Sequence, residues 1–283
     1  AGQRRTSPGI APGRIGDVMR IVVCVKQIID PELPASQFRI DAESKRQRPN
    51  GHPLVISPYD ENALEVALTL KEKTGGTVAV VSAGEPSAIS ALRKGLAMGA
   101  DEAALISDPA LAGSDAFGLA VALARGIQKL GTPDLVLCGC ESGDWADRTV
   151  GPILAEALDI PCVSFVAQVE AQDGRLRMRR VVEEGYEIWE GAPPLLLTIL
   201  SHESNVPRYP KVKDIMTASR RSIPTWSAGD LGVEAGDIGK AAMRTEVQQL
   251  TLPSRESRCE LLDGQPAQQV TTLITRLRER KAI

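Results

Sequence analysis

The sequence predicts an α/β fold of the doubly wound kind: a mainly parallel sheet, with a C-terminal arm that ends in a helix. Two observations predict it. Short apolar runs alternate with helical patterns on a pitch of roughly 30 residues, which calls for right-handed β–α–β crossovers. The first of these runs, MRIVVCVK at Met19–Lys26, is almost unbroken by polar residues. A strand buried on both faces of a parallel sheet reads in this way.

The elements follow in order. After the first strand, Ser57-Pro58-Tyr59-Asp60 opens a helix. Ser57 supplies a cap, Pro58 suits the first turn, and Asp60 completes a pattern close to a capping box. The helix runs through Ala63, Leu64, Ala67, Leu68 and Leu70 to Gly75-Gly76. Gly76–Ser82 is a second buried strand, Pro86–Met98 a helix stopped by Gly99, and Ala103–Ser107 a third strand. Ser114 caps a helix that ends at Leu130, Asp134–Leu137 is a fourth strand, and another helix begins near Thr149.

Beyond Pro161 the pattern changes. Cys162–Glu170 and Arg175–Val182 read as strands around Asp173-Gly174, a strong hairpin signal, and Pro194–Leu200 is another extended run. From Pro207 to Pro266 the chain has little periodicity and much Pro, Gly and charge. Such a stretch seldom packs within its own domain, so residues 207–283 are expected to lie as an arm on another subunit. The arm closes with an amphipathic helix, Ala267–Arg280, which puts Val270, Leu273, Ile274 and Leu277 on one face. Residues 19–206 form the α/β domain in this reading. Residues 1–18 carry Arg4, Arg5 and Arg14 among many Gly and Pro. They read as an upstream extension in preference to a transit peptide, because Pro and Gly spoil an amphipathic helix.

Composition excludes several classes. The 283 residues carry a net charge of −3, without the basic excess of a nucleic-acid binder. Three Phe, three Tyr and three Trp are too few for a base-stacking platform. Every apolar run is of strand length, so no direct membrane insertion is expected. Five scattered cysteines read as free thiols in a reducing compartment. With two histidines, and with Cys138-Gly-Cys140 spaced too tightly for a zinc knuckle, no metal site is expected. Nucleophile elbow, zincin, Walker and G-x-G-x-x-G patterns are missing from the places where they would act. Glu183-Glu184 beside Gly185 reads as a solvated edge, and no catalytic residue is assigned.

In an open α/β sheet, ligands bind beyond the carboxyl ends of the strands. That rule selects Cys24–Lys26, Ser57–Asp60, Ser82-Ala83-Gly84 and the loop Gly139–Val150. The loop reads Gly139, Cys140, Glu141, Ser142, Gly143, Asp144, Trp145, Ala146, Asp147, Arg148, Thr149, Val150 and enters a helix. Backbone N–H groups at such a helix start suit a phosphate, and Arg148 can add a bidentate contact. An ordinary β–α connection has the same appearance, and Trp145 either shields a ligand or packs.

Several segments together carry a family resemblance. They are VVCVKQIID (22–30), SPYDENALEVAL (57–68), GLAMGAD (95–101), and DLVLCG (134–139) with the loop through Arg148-Thr149-Val150-Gly151. The stretch from Met178 through Arg180, Glu183-Glu184-Gly185 and Glu187 to Pro194–Thr198 follows. Then come Pro207-Arg208-Tyr209, Asp214-Ile215-Met216 and Asp230-Leu231-Gly232-Val233. In this order, over nearly the whole chain from Met19, they resemble the beta subunits of electron transfer flavoproteins.

The resemblance implies a fold of the adenine-nucleotide-binding type and a heterodimer whose alpha subunit carries the redox-active FAD. It implies a second nucleotide in this subunit: AMP in the ordinary carriers, FAD in the electron-bifurcating ones. That nucleotide is expected against Cys24, Ser57, Pro58, Tyr59, Asp60, Ala83 and Gly139–Val150, with Tyr59 near the partner's flavin. AMP is the expectation here. A flavin dehydrogenase is expected to dock near 198–208. The implied function is electron relay from dehydrogenases, such as acyl-CoA dehydrogenases, to a membrane quinone oxidoreductase or another acceptor. A bacterial cytoplasm is expected over a mitochondrial matrix. Two alternatives stay open: a bifurcating subunit whose own FAD oxidises NADH, and a stand-alone adenine-nucleotide module. Two departures stand out. Residues 144–152 match neither the D-G-D-T-A-Q-V loop of bifurcating members nor the N-Q-T-G ending of ordinary ones. The 198–208 loop is one residue longer than usual and has no leucine near its tip.

Overall fold

The computed structural model describes residues 19–172, 174–252 and 259–283. The leader 1–18 and Asp173 of the hairpin turn lie outside the described residues. The chain begins with β1 (Arg20–Cys24) and β2 (Gln27–Ile29), then β3 (Ile40–Asp41), β4 (Arg46–Gln47) and β5 (Leu54–Ile56). Next come α1 (Pro58–Thr74), β6 (Thr77–Ala83), α2 (Ile89–Met98), β7 (Glu102–Ile106), α3 (Ala116–Leu130), β8 (Leu135–Gly139) and α4 (Val150–Leu158). The second half holds β9 (Cys162–Gln172), β10 (Arg175–Val182), β11 (Gly185–Gly191), β12 (Leu195–Ile199), α5 (Val212–Arg220), β13 (Thr225–Trp226), α6 (Gly239–Ala242) and α7 (Pro266–Glu279).

Nine strands form one sheet in the order β11-β10-β9-β12-β8-β1-β6-β7-β13. All pairs from β9 to β13 across the centre are parallel, while β9-β10 and β10-β11 are antiparallel. The apolar runs explain the parallel part. In β1, Ile21 and Val23 belong to one buried cluster while Val22 and Cys24 belong to the other. The first cluster packs α1 and α2 against the sheet, the second packs α3 and α4. A strand that must bury both of its faces has no room for polar alternation. The doubly wound, mainly parallel sheet expected from the sequence is therefore the one observed.

Strand order reverses at β1. From there the chain winds outward through β6 and β7, then returns to place β8 on the other side of β1. The crevice beyond the carboxyl ends of β1 and β8 is thus the topological switch point, where sheets of this kind take their ligands.

Four readings are corrected. Asp115, not Ser114, caps α3: its Oδ1 accepts from the amides of Phe117 (3.0 Å) and Gly118 (3.2 Å). The Ser114 hydroxyl instead accepts from the Gly239 amide (2.7 Å). Asp60 completes no capping box, and Ser57 makes no side-chain cap bond. Gly185–Gly191, left without an element by the sequence, pairs with β10 along seven residues; its side chains are exposed on both faces, so no alternation marks it as a strand.

The fourth correction concerns the arm. Residues 207–242 return to their own sheet: β13 pairs with β7, α5 packs on α2, and Ala228, Val233 and Ile238 are buried. Short segments held by caps carry no helical or strand period, and Asp115 also accepts from the amides of Arg244 (2.7 Å) and Thr245 (2.9 Å). The helix α7 behaves otherwise. It has no buried residue, and Val270, Leu273 and Ile274 are all exposed. Among the described residues, no helix is long and apolar enough to cross a membrane, and no cluster of metal-ligating side chains occurs.

Candidate functional site

The switch point is built around Asp60. It lies in the first turn of α1, is buried, and aims its carboxyl at the ends of both central strands. Oδ2 accepts from the Lys26 amide (2.7 Å), just beyond β1, and Oδ1 from the Gly139 amide (3.0 Å), at the end of β8. One side chain therefore joins α1 to both strands that flank the crevice. The approach is close. A Cβ on Gly139 would stand 2.6 Å from Asp60 Oδ1 and 2.7 Å from Tyr59 Cβ, so only glycine fits.

The loop leaving Gly139 is tied down by its own polar groups. Ser57 Oγ, free of capping duty, accepts from the Gly143 amide (3.2 Å). Lys26 Nζ reaches Asp144 (2.7 Å), and Arg148 Nε reaches Glu141 (2.6 Å). Asp147 folds back to accept from the Thr149 amide (2.9 Å). Glu141 and Asp144 are thus each paired with a cation, while Asp147 keeps its charge beside the Thr149 amide. Ala146 takes a left-handed conformation (φ 52°) where the loop reverses.

α4 then begins at Val150. Pro152 has no N–H and the Ile153 amide donates to the Thr149 carbonyl, so of its first turn the amides of Val150 and Gly151 are left for a ligand. Gly151 in that turn lets α4 press on β12, since a Cβ there would meet Thr198 Cγ2 at 2.7 Å. Arg148 holds its guanidinium over the Phe165 ring (5.6 Å to the centroid) and is largely exposed. Ser142 Oγ is buried without a hydrogen-bond partner. A buried hydroxyl left unpaired costs about 1–3 kcal/mol. Arg148 and the two free amides at the start of α4 are donors of the kind that suit a phosphate.

The sequence-selected residues gather here with different exposures. Pro58, Asp144, Trp145, Ala146, Asp147, Arg148 and Thr149 are exposed, while Tyr59, Ala83, Gly139, Glu141, Ser142, Gly143 and Val150 are half-buried. Cys24, Ser57, Asp60 and Cys140 are buried. Ala83 ends β6, beside β1. The Tyr59 hydroxyl is held above its ordinary value by its hydrogen bond to Glu141 and by burial. The Cys138 thiol, hydrogen-bonded to Cys24 and buried, is pushed well up, and burial pushes Cys140 to about 11. These thiols are protonated and unreactive at neutral pH.

Sequence reasoning missed Phe165 and Thr198 as parts of the site. Phe165 has a left-handed backbone (φ 61°), and its amide donates to Thr198 Oγ1 (3.1 Å) at a register shift between β9 and β12. A non-glycine residue in that conformation has no local signature in sequence. The 198–208 loop, in contrast, is orderly. Asn205 is buried and donates to the carbonyls of Leu200 (2.8 Å) and Ala167 (3.2 Å), while Asn62 donates to its own carbonyl (3.0 Å). A surface cavity of about 220 Å³ lies elsewhere, on the antiparallel strands, lined by Gln168, Glu170, Arg177, Arg179, Tyr186 and Ile188.

Asp60 gives the site a pH signature. Burial pushes its carboxyl up to about 7 against the lowering effect of the Lys26 and Gly139 amides. The folded value lies above the ordinary 3.8, so the folded chain holds this proton more tightly than the unfolded one. Its contribution to stability is full below the unfolded value and is lost as pH rises towards the folded one. Urea titrations at stepped pH are expected to show stability declining through this window in the wild type. The decline is expected to be shallower in Asp60→Asn, which loses the titration and also weakens one of the two amide contacts.

Fold and site together define a doubly wound α/β subunit with a charged loop at its switch point and a terminal helix that, among the described residues, is left exposed. Residues 49–231 match the electron transfer flavoprotein domain. The chain is 41% identical over 266 residues to an electron transfer flavoprotein subunit beta of Thermoanaerobacterium thermosaccharolyticum, covering 94% of this chain and 100% of that relative. It is 38% identical over 261 residues to the corresponding subunit of Clostridium acetobutylicum, covering 92% and 98%. It is 37% identical over 267 residues to the caffeyl-CoA reductase-Etf complex subunit CarD of Acetobacterium woodii, covering 94% and 100%. The chain belongs to the electron transfer flavoprotein family, among its beta subunits.

Proposed function

We propose that this chain relays electrons as half of a heterodimer, holding an adenosine phosphate group at its switch point while the alpha subunit carries the working FAD. The observation that carries the nucleotide reading is the loop entering α4, where the free amides of Val150 and Gly151 follow the exposed Arg148. AMP and the adenosine half of a second FAD present the same chemistry to that loop. Flavin, when bound, supplies the redox chemistry. This chain's residues bind and orient: Asp60 fixes the crevice, Lys26 and Glu141 hold the loop acids and Arg148, and Tyr59 stands half-buried beside them.

The α/β body extends to about residue 245, and α7 is the arm that lies on the partner. Its Val270, Leu273 and Ile274 are exposed, and nothing among the described residues covers them. The dehydrogenase that reduces the pair docks near 198–208, where Val206 and Tyr209 are 66% and 96% exposed on a locked backbone. They stand where the family's loop leucine is missing. Acyl-CoA dehydrogenases as donors and a membrane quinone oxidoreductase as acceptor are the family's usual partners. Five free cysteines fit a bacterial cytoplasm.

Co-expression with the alpha subunit tests the relay. A flavin-bearing heterodimer is expected, and Leu273→Glu should weaken the association at least tenfold, about 1.4 kcal/mol, without altering this chain's own unfolding midpoint. A monodisperse, flavin-free monomer that ignores the alpha subunit would instead favour a stand-alone nucleotide module.

A further inference from the structure

β11 ends the nine-stranded sheet and pairs with β10 along seven residues. Both of its faces are exposed, with Tyr186 and Ile188 on one and Trp189 on the other. In an antiparallel ribbon every second residue turns its amide and carbonyl away from the neighbour, and among the described residues no strand meets those groups on β11. No proline, lysine or bulge blunts this edge. We propose that β11 is a docking edge for the alpha subunit, which adds an extended segment to it as a further strand of the sheet. The inference rests on the heterodimer reading and deepens it.

Area and charge select the occupant. A stable interface takes about 800 Å² from each partner. The 14 residues of α7 make a helix about 21 Å long, and one face roughly 10 Å wide offers only about 200 Å². A heterodimer held by α7 alone would be too small, so a second surface must contribute. The antiparallel end of the sheet supplies one. Three strands about 4.8 Å apart and about 24 Å long present roughly 350 Å² on the face of Tyr186 and Ile188. These two side chains, with Arg177 and Arg179, line the shallow cavity of about 220 Å³, where a side chain of the added strand can sit. The charged residues of β11 are both acids. Glu187 is held by Arg180 (3.1 Å) and the Trp189 indole (2.8 Å), and Glu190 is exposed. A second copy of this chain on the same edge would bring acids to acids. A segment of the alpha subunit that carries Lys or Arg among apolar residues complements the edge instead.

The test is amide hydrogen exchange, read by mass spectrometry at β11, on the full chain alone and on its co-expressed complex with the alpha subunit. The outward amides of Gly185–Gly191 should exchange roughly tenfold or more slowly in the complex than in the chain alone. Ile188→Lys, which sets a charge on an exposed edge position, should raise the dissociation constant roughly tenfold and leave this chain's own unfolding midpoint unchanged. Glu190→Lys should weaken the association several-fold, and more so at low salt. The exchange measurement uses the wild type and decides the matter if either variant fails to fold. A heterodimer whose β11 amides exchange as fast as in the chain alone would overturn this inference alone. Protection of β11 in the chain alone, through pairing with a second copy, would overturn it as well. Failure to form any heterodimer would overturn the heterodimer reading and this inference with it.

Discussion

Gly139→Ala is expected to destabilise the chain by about 3 kcal/mol and to strip the bound nucleotide. The new methyl group would meet Asp60 Oδ1 at 2.6 Å and, at 2.9 Å, the backbone carbon of Tyr59. A flexible side chain can retreat from such a contact, but the first turn of a helix cannot, because it is held by its own ladder and by the Asp60 bonds to two strands. Relief requires α1 to lift away from β8, which breaks the Asp60–Gly139 bond and moves Ser57 away from Gly143. The loop then loses its inner anchor just where it must present its amides. Denaturation midpoints and nucleotide content of the purified complex should fall together. A stable variant that keeps its nucleotide would show that the Asp60 bridge does not set the loop.

Arg208→Ala is expected to cost about 2–3 kcal/mol, less than a fully buried pair because the guanidinium is about one-third exposed. Arg208 donates to Glu65 through Nε (2.9 Å) and Nη2 (2.8 Å), and its amide donates to the same carboxylate (3.0 Å). Its other arm reaches Glu72. Glu65 is buried, so the loss of Arg208 leaves a carboxylate with one backbone donor and the weaker Thr69 hydroxyl (3.4 Å). The 200–209 segment would also come free of α1. Arg208→Lys should recover only part of the loss, because an ammonium cannot span both carboxylates as a planar fork does. Chemical denaturation of the three proteins orders them. Equal midpoints would mean that Asn205 alone holds the segment.

The legible parts of this molecule are those in which one physical demand dominates the sequence. β1, β6, β7, β8 and β12 are buried on both faces, and that demand leaves apolar runs that nothing else explains. The switch-point rule leads from strand order to Cys24–Lys26, Ser57–Asp60, Ser82-Ala83-Gly84 and Gly139–Val150, and the hydrogen bonds of Asp60 and Ser57 join the first, second and last of these. What was not legible depends on pairing across the chain. Asp60 looks like a helix-start acid in the sequence, and only the fold shows that its donors come from residues 34 positions before it and 79 after. Asp115 and Ser114 are equally good caps on paper; the choice was made by Gly239, 125 residues away from Ser114. β13 is two residues long and is a strand because β7 offers an edge. Phe165 takes its unusual backbone from a bulge against β12, a feature of two strands and not of one.

The measurement that bears most directly on the central claim is the nucleotide inventory of the complex. The chain, co-expressed with its alpha subunit, is purified and denatured, and every released nucleotide is identified by chromatography and mass. The account predicts one adenine nucleotide per heterodimer beyond the FAD of the alpha subunit, retained by the wild type and lost from Gly139→Ala. If that nucleotide is AMP, the loop is a structural cradle; a second FAD would make it a redox site. Release of a single FAD and nothing else would contradict the account, and the Gly139–Val150 loop would then be an ordinary β–α connection.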